Sequence, residues 1–421
     1  MESYCGSVTF ICEMIHMHKT ILPCLMLGLL LAGSSGLRAE EAKKPKAASH
    51  AQPEDAKELK IGDAAPDFTL QGIDDHKHSL ADYKDSKLLM VIFLSNHCPD
   101  SQAAEGRVKA LVEGMKGNSF ALVAINPNNP DSLRADELGY SKYNDSFDEM
   151  KKHAAEQGFN FPYLYDGETQ AIAKAYGCLA TPHVFLFDAE RKLRYKGAFD
   201  DSRYADASTV KSADAKNAVE ALLAGKPVPV EITKVHGCST KWNQKKSQVA
   251  QDNEKWEQKP VEVEMIDAAG VAALRKNGTK KVRLFNMWST TCGPCVAEFP
   301  ELVKTARKFG LREFELITIS LDEAKDKGKV KAFLEKKHAA LIDRLKPSLK
   351  AEGRTTNNYI FSESDTASLF KVLDPKAEGT IPHSVLVSPQ GEILWSHTGP
   401  VDGEELRDKV LAYMGRYYQP D

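Results

Sequence analysis

The stretch "MWSTTCGPC" (residues 287–295) carries two cysteines separated by two residues, and it overlaps the end of an apolar run of strand length, "VRLFNMW" (282–288). The apolar residues that then share one helical face are Val296, Phe299, Leu302, Val303, Ala306 and Phe309. This pattern predicts a buried strand, a loop and a helix. Cys292 would therefore lie at the helix N-terminus, where unpaired N–H groups and the helix dipole favour a thiolate.

A second stretch, "LSNHCPDS" (94–101), repeats this arrangement with one cysteine. Overlaid on the first stretch, Ser95 falls on Ser289, Cys98 on Cys292 and Ser101 on Cys295. The surrounding segments repeat as well. They are the apolar run 87–94, the helical face Ala104, Val108, Leu111, Val112 and Met115, the strands 120–125 and 314–320, and the X-Pro-His hairpins 181–197 and 381–399.

The repeated order of elements decides the fold class. A βαβ unit followed by a β-hairpin, with a cysteine at the first helix N-terminus, is the thioredoxin order. We therefore expect an α/β chain with two thioredoxin-like folds in tandem, each a central mixed sheet flanked by helices. Pro182 and Pro382, which begin the two hairpins, are candidate site residues beside the cysteines. His183 and His383 follow them and either line the sites or begin buried strands.

The 421 residues divide at two polar stretches. We expect a first domain at 58–240 and a second at 260–421, with flexible linkers at 40–57 and 241–259. The segment 344–379 reads as an insertion of unexplained role.

An apolar stretch near the start, "ILPCLMLGLLLAG" (21–33), has the layout of a secretory signal peptide and is short for a membrane span. It predicts a leader over 1–39 with Ala39 as its last residue, and Met17 or Met14 fits the true start better than Met1. Export to the periplasm or another extracytoplasmic space follows. An uncleaved anchor is the alternative and the one expected membrane attachment. The net charge is −3, and the absence of a basic stripe argues against nucleic-acid binding.

Five of the eight cysteines follow the predicted leader: Cys98, Cys178, Cys238, Cys292 and Cys295. An odd, sparse set in an exported chain suits catalytic thiols better than a disulfide scaffold. In a Cys-X-X-Cys motif the attacking sulfur has a pKa lowered to roughly 3.5–7.5. Cys292 is the expected attacker, and Cys295 closes the disulfide. A zinc half-site is the alternative, but the sequence has no second Cys-X-X-Cys or His-X₃-His pair.

The segment "LFNMWSTTCGPCVAEFPEL" (284–302), with "IPHSVLVSPQGEIL" (381–394), resembles the TlpA-like branch of the thioredoxin family, periplasmic thiol–disulfide oxidoreductases. The resemblance spans roughly 262–415. It implies a cis peptide bond at Ile381–Pro382 that faces the disulfide, which is reasonable because only X-Pro bonds adopt cis at low cost. Asn286 falls where thioredoxin itself has a buried aspartate that accepts a proton.

The first copy resembles the redoxin family, which includes alkyl hydroperoxide reductases and thiol-specific antioxidants. The segments that carry the resemblance are 61–70, "NHCP" (96–99), 126–130, 146–177, 181–188 and "GCSTKW" (237–242). By this resemblance Cys98 is the attacking or peroxidatic thiol, and Ser95 matches the Thr or Ser three residues before it.

Two features depart from true peroxiredoxins. Val91 stands where they have a proline, and the arginine of their peroxide pocket has no clear counterpart, since Arg191 and Arg194 read as hairpin surface. Peroxidase activity therefore stays a hypothesis. Cys178 or Cys238 would resolve an oxidised Cys98, although Cys178 also reads as a core residue at a helix end.

The sequence thus predicts an exported thiol–disulfide oxidoreductase without a cofactor or metal. Its "CGPC" site exchanges disulfides with protein partners, and its first domain reduces hydroperoxides and is re-reduced by the second. His97 beside Cys98 would stabilise a thiolate. One alternative is copper binding by Cys98 with His97 or His183, or by "HGC" (236–238). Another is a first domain that only docks substrates.

Overall fold

The computed structural model describes residues 52–420. The predicted leader and all but the end of the first predicted linker lie outside this range. Within it, no helix combines the length and the apolar character that crossing a membrane requires.

The strands of the first half are β1 (Thr69–Gly72), β2 (Lys77–Ser79), β3 (Leu88–Phe93), β4 (Phe120–Asn126), β5 (Tyr163–Tyr165), β6 (Ala180–Thr181), β7 (His183–Phe187), β8 (Leu193–Gly197) and β9 (Cys238–Ser239). Its helices are α1 (Pro99–Gly114), α2 (Phe147–Gln157), α3 (Ala171–Tyr176), α4 (Asp214–Leu223) and α5 (Lys246–Glu257). Seven strands form one mixed sheet in the order β2-β1-β5-β4-β3-β7-β8, and β6 pairs separately with β9.

Strand β3 lies inside this sheet, parallel to β4 and antiparallel to β7. All six of its residues are buried. Since side chains alternate along a strand, Leu88, Met90 and Ile92 enter one hydrophobic cluster and Leu89, Val91 and Phe93 the other. A continuous apolar run is what a strand covered by helices on both faces requires.

The second half repeats the arrangement with β10 (Glu264–Ile266), β11 (Val282–Trp288), β12 (Phe314–Ser320), β13 (Asn358–Phe361), β14 (His383–Val387) and β15 (Ile393–Thr398). Its helices are α6 (Ala268–Lys276), α7 (Gly293–Lys308), α8 (Lys327–Lys336), α9 (Lys346–Ala351), α10 (Thr366–Leu373) and α11 (Gly403–Met414). The sheet order is β10-β13-β12-β11-β14-β15, and β11 is parallel to β12 and antiparallel to β14, as β3 is to its neighbours. The predicted tandem of thioredoxin-like folds is confirmed.

Two segments differ from their sequence-based interpretation. Most of 241–259, expected to be a flexible linker, forms helix α5, which places only Val249 in a buried position. The segment 344–379 is more than a peripheral insertion, because its strand β13 pairs with both β10 and β12 inside the second sheet. Only "NYIF" within that segment is a buried strand, and the polar residues around it hid the signal.

The two folds contact each other at the C-terminal end of α7. Lys308 in its last turn donates from Nζ to the Lys142 carbonyl at 3.3 Å, and Arg312 donates from Nη1 to the Gly139 carbonyl at 2.7 Å. The Arg312 guanidinium also lies 3.8 Å from the centre of the Tyr140 ring. The N-terminal end of the 16-residue helix α7 is therefore about 24 Å from this contact at 1.5 Å per residue.

Candidate active sites

Cys98 is the N-cap residue of α1, and Pro99 follows it in the first helical position, where a missing N–H costs no hydrogen bond. Its thiol donates to the Thr181 carbonyl at 3.0 Å. Thr181 precedes Pro182 through a cis peptide bond, and the Thr181 hydroxyl shares a 2.6 Å hydrogen bond with Ser95. The structure thus places Cys98 and Ser95 beside the Thr181–Pro182 bond.

Cys238 lies beside Cys98 although 140 residues separate them. Strand β9 pairs with β6 so that Cys238 is opposite Thr181, and the backbone N–H of Cys238 donates to the Cys98 sulfur at 3.3 Å. Gly237 permits this approach. Its φ is +129°, and a Cβ there would lie 2.1 Å from the Thr181 carbonyl oxygen.

The two thiols titrate differently because they share one hydrogen bond. Burial and the charge of Asp100 raise the pKa of Cys98, but the hydrogen bond from the Cys238 thiol, the charge of His97 and the N–H group of Ser101 outweigh them and bring the pKa to about 7. The same hydrogen bond, followed by burial, raises the pKa of Cys238 well above its ordinary value. Cys98 is therefore the nucleophile of the pair, since the thiolate is the attacking species.

A buried ionic cluster borders these thiols. Asp100, 1% exposed, accepts from Arg203 Nε at 2.8 Å and lies 3.6 Å from His236 Nδ1. His236 Nε2 is 2.8 Å from the Asp200 carbonyl. Burial alone would raise the pKa of Asp100, but His236 and Arg203 hold it below its usual range. The sequence analysis missed Asp100 and Arg203 because nothing local links positions 100 and 203.

The charge of His97 helps to lower the pKa of Cys98, which is the role that the sequence analysis expected, and the ring has a structural role as well. Its Nδ1 lies 2.5 Å from the Asp145 carboxylate, which also accepts hydrogen bonds from the amide groups of Asn126 and Asn128. Asn128 Oδ1 in turn accepts from the Lys241 N–H at 2.8 Å. This buried network holds the Cys98 loop against the "GCSTKW" segment that carries Cys238.

The copper alternative finds limited support in this geometry. Across residues 52–420, one group of at least three side chains is arranged to hold a metal ion, and it consists of Cys98, Asp100 and Cys238, whose ligand atoms lie within 4.8 Å of one another. None of the three is a histidine. The Arg203 guanidinium already neutralises Asp100 and opposes a second cation there.

Cys178 belongs to the apolar core. It is fully buried in a cluster with Phe93 and Phe185, and its sulfur contacts the Ala180 carbonyl and the Thr240 hydroxyl at 3.4 Å. Burial raises the pKa of this thiol to about 12. The structure therefore brings Cys238, and not Cys178, to Cys98.

The second site is more open. Cys292 is the N-cap residue of α7 and is joined by a disulfide to the fully buried Cys295. The Cys295 N–H donates to the Cys292 sulfur at 3.3 Å. Cys292 is partly exposed, and Thr291 and Gly293 on either side are exposed. The Ile381–Pro382 bond is cis, as the TlpA-like resemblance implied.

A buried carboxyl group stands close to this disulfide in the sequence. Glu298, 4% exposed, is one turn after Cys295 on the same helix and accepts from Asn286 Nδ2 and from the Val401 N–H, both at 2.8 Å. Burial raises its pKa. Asn286, which cannot titrate, thus holds a buried carboxyl group that can. The spacing of Cys295 and Glu298 at i and i+3 was the available signal.

The residues after the two prolines are buried strand residues. His383 lies 3.1 Å from Asp374 and 2.8 Å from the Thr398 hydroxyl, and its pKa is lowered, by burial above all. His183 Nδ1 accepts from the Leu179 N–H at 3.2 Å. Arg191 lies in the turn between β7 and β8, where the sequence placed it, but it is half-buried and donates to the Ser86 carbonyl.

Family comparison supports the internal repeat. A sequence model described as the AhpC/TSA family matches the chain twice, over residues 61–196 and 258–396, and the two matches exceed half of the chain. The first match contains Cys98 and Pro182, and the second contains Cys292, Cys295 and Pro382. Cys238 lies outside both.

Individual proteins also resemble parts of the chain. The thiol-disulfide oxidoreductase ResA of Geobacillus thermodenitrificans is 25% identical over 134 residues, which is 32% of this chain and 67% of that protein. A hypothetical protein from Sinorhizobium meliloti 1021 has 35% identity over 45% of this chain and 97% of its own, with a TM-score of 0.39. An uncharacterised conserved protein from Geobacillus kaustophilus has 36% identity over 44% and 93%, with a TM-score of 0.39.

Proposed function

Since the chain belongs to the AhpC/TSA family, we propose that it is an exported thiol–disulfide oxidoreductase with two redox sites, one on each fold. The observation that carries the proposal is that both folds place a cysteine at the N-terminus of a 16-residue helix, with a second cysteine beside it and a cis-proline loop in the same fold.

The Cys292–Cys295 site exchanges disulfides with other proteins. In its reduced form the partly exposed Cys292 thiolate attacks a substrate disulfide, and one substrate thiolate leaves and takes up a proton. The buried Cys295 then attacks the Cys292 sulfur and the second substrate thiol leaves. Two electrons pass to the substrate, and the Cys292–Cys295 disulfide seen in the structure is the oxidised product. Glu298 is a candidate proton carrier for Cys295 because burial favours its neutral form.

The Cys98–Cys238 site runs a separate two-thiol cycle. A hydroperoxide is the expected oxidant. Cys98 attacks its terminal oxygen, an alcohol leaves, and a sulfenic acid forms on Cys98. Cys238 then attacks that sulfur, water leaves, and a Cys98–Cys238 disulfide forms. The lowered pKa of Cys98 supports the first step, and the proximity of Cys238 supports the second.

The second site is the proposed donor of electrons to the first. Because α7 points its C-terminal end at the first fold, Cys292 lies at the far end of that helix in this arrangement. Transfer therefore requires the second fold to move away from the first. The Cys295→Ser protein tests it, since without Cys295 a mixed disulfide between Cys292 and Cys98 or Cys238 would persist. Peptide mapping under non-reducing conditions after peroxide treatment should find that link, and its absence would show that the sites work independently.

Substitution of Cys98 distinguishes the proposed redox function from the alternative in which the first fold only docks substrates. If the first fold only binds substrates, Cys98→Ser leaves peroxide consumption and disulfide reduction unchanged. Under our proposal the substitution abolishes peroxide consumption and leaves disulfide reduction by Cys292 intact. Export is part of the proposal on the basis of the apolar stretch 21–33, and fractionation of cells that express the full chain would test it.

A further inference from the structure

The two cysteine loops differ in their accessibility. Every residue from Leu94 to Ser101 is buried, and Cys98 has no exposed surface. In the second loop Thr291, Gly293 and Pro294 are exposed. The loops occupy equivalent positions in the two folds, so chain that packs on the first loop alone would produce this difference.

Residues 415–418, which follow α11, are part of the chain that packs on the first loop, and we call them the cover. Arg416 donates from Nε to Gln102 Oε1 at 2.7 Å, and Gln102 lies one turn into the helix that Cys98 caps. The Tyr418 ring lies 4.4 Å from the Arg203 guanidinium and 5.1 Å from the centre of the Tyr140 ring. These three contacts join the last residues of the second fold to the thiol end of the first.

The ion pair of Arg203 and Asp100 connects the cover to the two thiols. Arg203, held under Tyr418, is the partner of Asp100, whose carboxylate lies within 4.8 Å of the Cys98 and Cys238 sulfurs. After burial, the charges of Cys238 and Asp100 are the main causes that raise the pKa of Tyr418, which agrees with a phenol beside that group. Tyr418 therefore borders the first redox site although it belongs to the second fold.

Arg312 fixes the start of this segment to both folds. Its guanidinium donates to the Met414 carbonyl at 2.5 Å and to the Gly415 carbonyl at 3.1 Å, and also to Gly139 in the first fold. Arg312 is 9% exposed. The cover is thus an anchored part of the structure.

We propose that residues 415–418 restrict the first redox site to small molecules that carry a reducible O–O or S–S bond, while the partly exposed Cys292 serves the disulfides of folded proteins. A small oxidant needs only the Cys98 sulfur to become accessible. A protein disulfide must also bring its own backbone close to the thiols, and residues 415–418 beside the Arg203–Asp100 pair obstruct that approach. This assignment of substrate class rests on the proposed function, in which both sites are redox sites.

Electrons balance for either kind of small substrate. With a hydroperoxide the products are an alcohol, water and the Cys98–Cys238 disulfide. With a small disulfide, Cys98 attacks one sulfur and the first thiol leaves. Cys238 then attacks Cys98, and the second thiol leaves. In both reactions two protein thiols are oxidised and one substrate bond is reduced.

The test uses the full chain with Cys292→Ser and Cys295→Ser, so that Cys98 and Cys238 are the redox-site thiols left in the described part of the chain. Rates of Cys98 alkylation are measured by peptide mapping with iodoacetamide and with a maleimide that carries a polyethylene glycol chain. Oxidation of the first site is measured with hydrogen peroxide, with hydroxyethyl disulfide and with native insulin, whose disulfides are intact. The variant is Arg416→Ala with Tyr418→Ala. Tyr413→Ala is the matched control, since Tyr413 is exposed on α11.

In the parent protein we expect iodoacetamide, peroxide and hydroxyethyl disulfide to react, and the polymer-bearing maleimide and insulin to react far more slowly. The double variant should raise the ratio of bulky to small alkylation rates about tenfold, which corresponds to about 1.4 kcal/mol of lost contact. Tyr413→Ala should leave the ratio unchanged. Tyr418→Phe keeps the ring and should keep the cover.

If the double variant is folded by circular dichroism but its ratio of bulky to small alkylation rates is unchanged, residues 415–418 do not restrict access to Cys98. Equal rates for small and bulky reagents in the parent protein would lead to the same conclusion. Failure of the proposed function looks different. In that case no oxidant of any size forms the Cys98–Cys238 disulfide, whereas the alkylation ratio still responds to the double variant, and the assignment of substrate class is overturned while the cover stands.

Discussion

The loop 94–101 is sealed, whereas its copy at 289–295 is largely open. Both loops connect a fully buried strand to a 16-residue helix, and both folds place an X-Pro cis bond before the next antiparallel strand. The local fold therefore determines the position of the first cysteine but not its reactivity. The reactivity depends on the second cysteine of each site. Cys295 comes from the same helix as Cys292, whereas Cys238 comes from a strand 140 residues away from Cys98.

The largest effect should come from Cys292→Ser in the open loop. Loss of the attacking sulfur should lower the rate of insulin reduction by several orders of magnitude, as expected for removal of a catalytic nucleophile. Turbidity of precipitating insulin chains measures this rate. Cys98→Ser is the control and should leave the rate unchanged. A large loss of insulin reduction in the Cys98→Ser protein would show that the two loops do not divide their substrates.

Gly237→Ala should damage the sealed site selectively. At φ +129° an alanine is strained, and its Cβ would meet the Thr181 carbonyl oxygen, so Cys238 must move away from Cys98. We expect a stability loss of about 1–3 kcal/mol, the usual cost of such strain, with slower formation of the Cys98–Cys238 disulfide. Urea unfolding and non-reducing peptide mapping measure the two effects.

Gly225→Ala is the matched control for that substitution. Gly225 also has a positive φ, of +65°, but nothing lies within 4 Å of the position of its Cβ. It should show the backbone strain without the loss of disulfide formation. If both variants form the disulfide equally fast, the close approach at Gly237 does not position Cys238.

A smaller effect is expected in the pH profile of Cys98. Its alkylation by iodoacetamide should rise with a midpoint near pH 7, because the pKa is brought to about 7 and the thiolate fraction grows through that value. An ordinary thiol would have its midpoint at about 8.5. Cys238→Ala removes the main hydrogen bond to the thiolate and should move the midpoint upward. A midpoint that does not move would assign the lowered pKa to the helix N-terminus instead.

The sequence predicted the local elements well and the long-range ones poorly. The strand expected at 282–288 is β11 with the same bounds, and the runs at 120–125 and 314–320 are β4 and β12 to within a residue. These strands are continuous apolar runs, whose signal is local. Strand β13 was missed because its four residues follow a polar stretch. Its pairing with β10 and β12 also leaves no pattern in the local sequence.

The same limit applies to the candidate sites. Cys98, Cys292, Cys295 and both prolines stand in motifs and could be named from the sequence alone. The choice between Cys238 and Cys178 depends on whether a strand pairs at Thr181, and the cover by Tyr418 depends on the packing of one fold on the other. Periodicity carries no information on such contacts, since they join residues far apart in the chain.

The smallest expected effect concerns the buried carboxyl of the open site. Glu298→Gln keeps the shape of the side chain but replaces one acceptor oxygen by an amide donor. Val401 N–H still finds an acceptor in the remaining oxygen. Asn286 can rotate its amide to accept from the new donor, because its Oδ1 has no partner in the described chain. The stability change should therefore stay within about 1 kcal/mol, the scale of one hydrogen bond.

The pH dependence gives this variant its diagnostic value. Burial raises the pKa of Glu298 in the folded chain, so the stability that its neutral form supports is present below the unfolded pKa and is lost as pH rises through the folded one. Glutamine does not titrate. Relative to the parent, Glu298→Gln should become more stable as pH rises, and urea unfolding of the oxidised proteins over a series of pH values measures this. A constant difference between the two proteins would mean that folding does not raise the pKa of Glu298, which would then be ionised near neutral pH and could not carry the proton of Cys295.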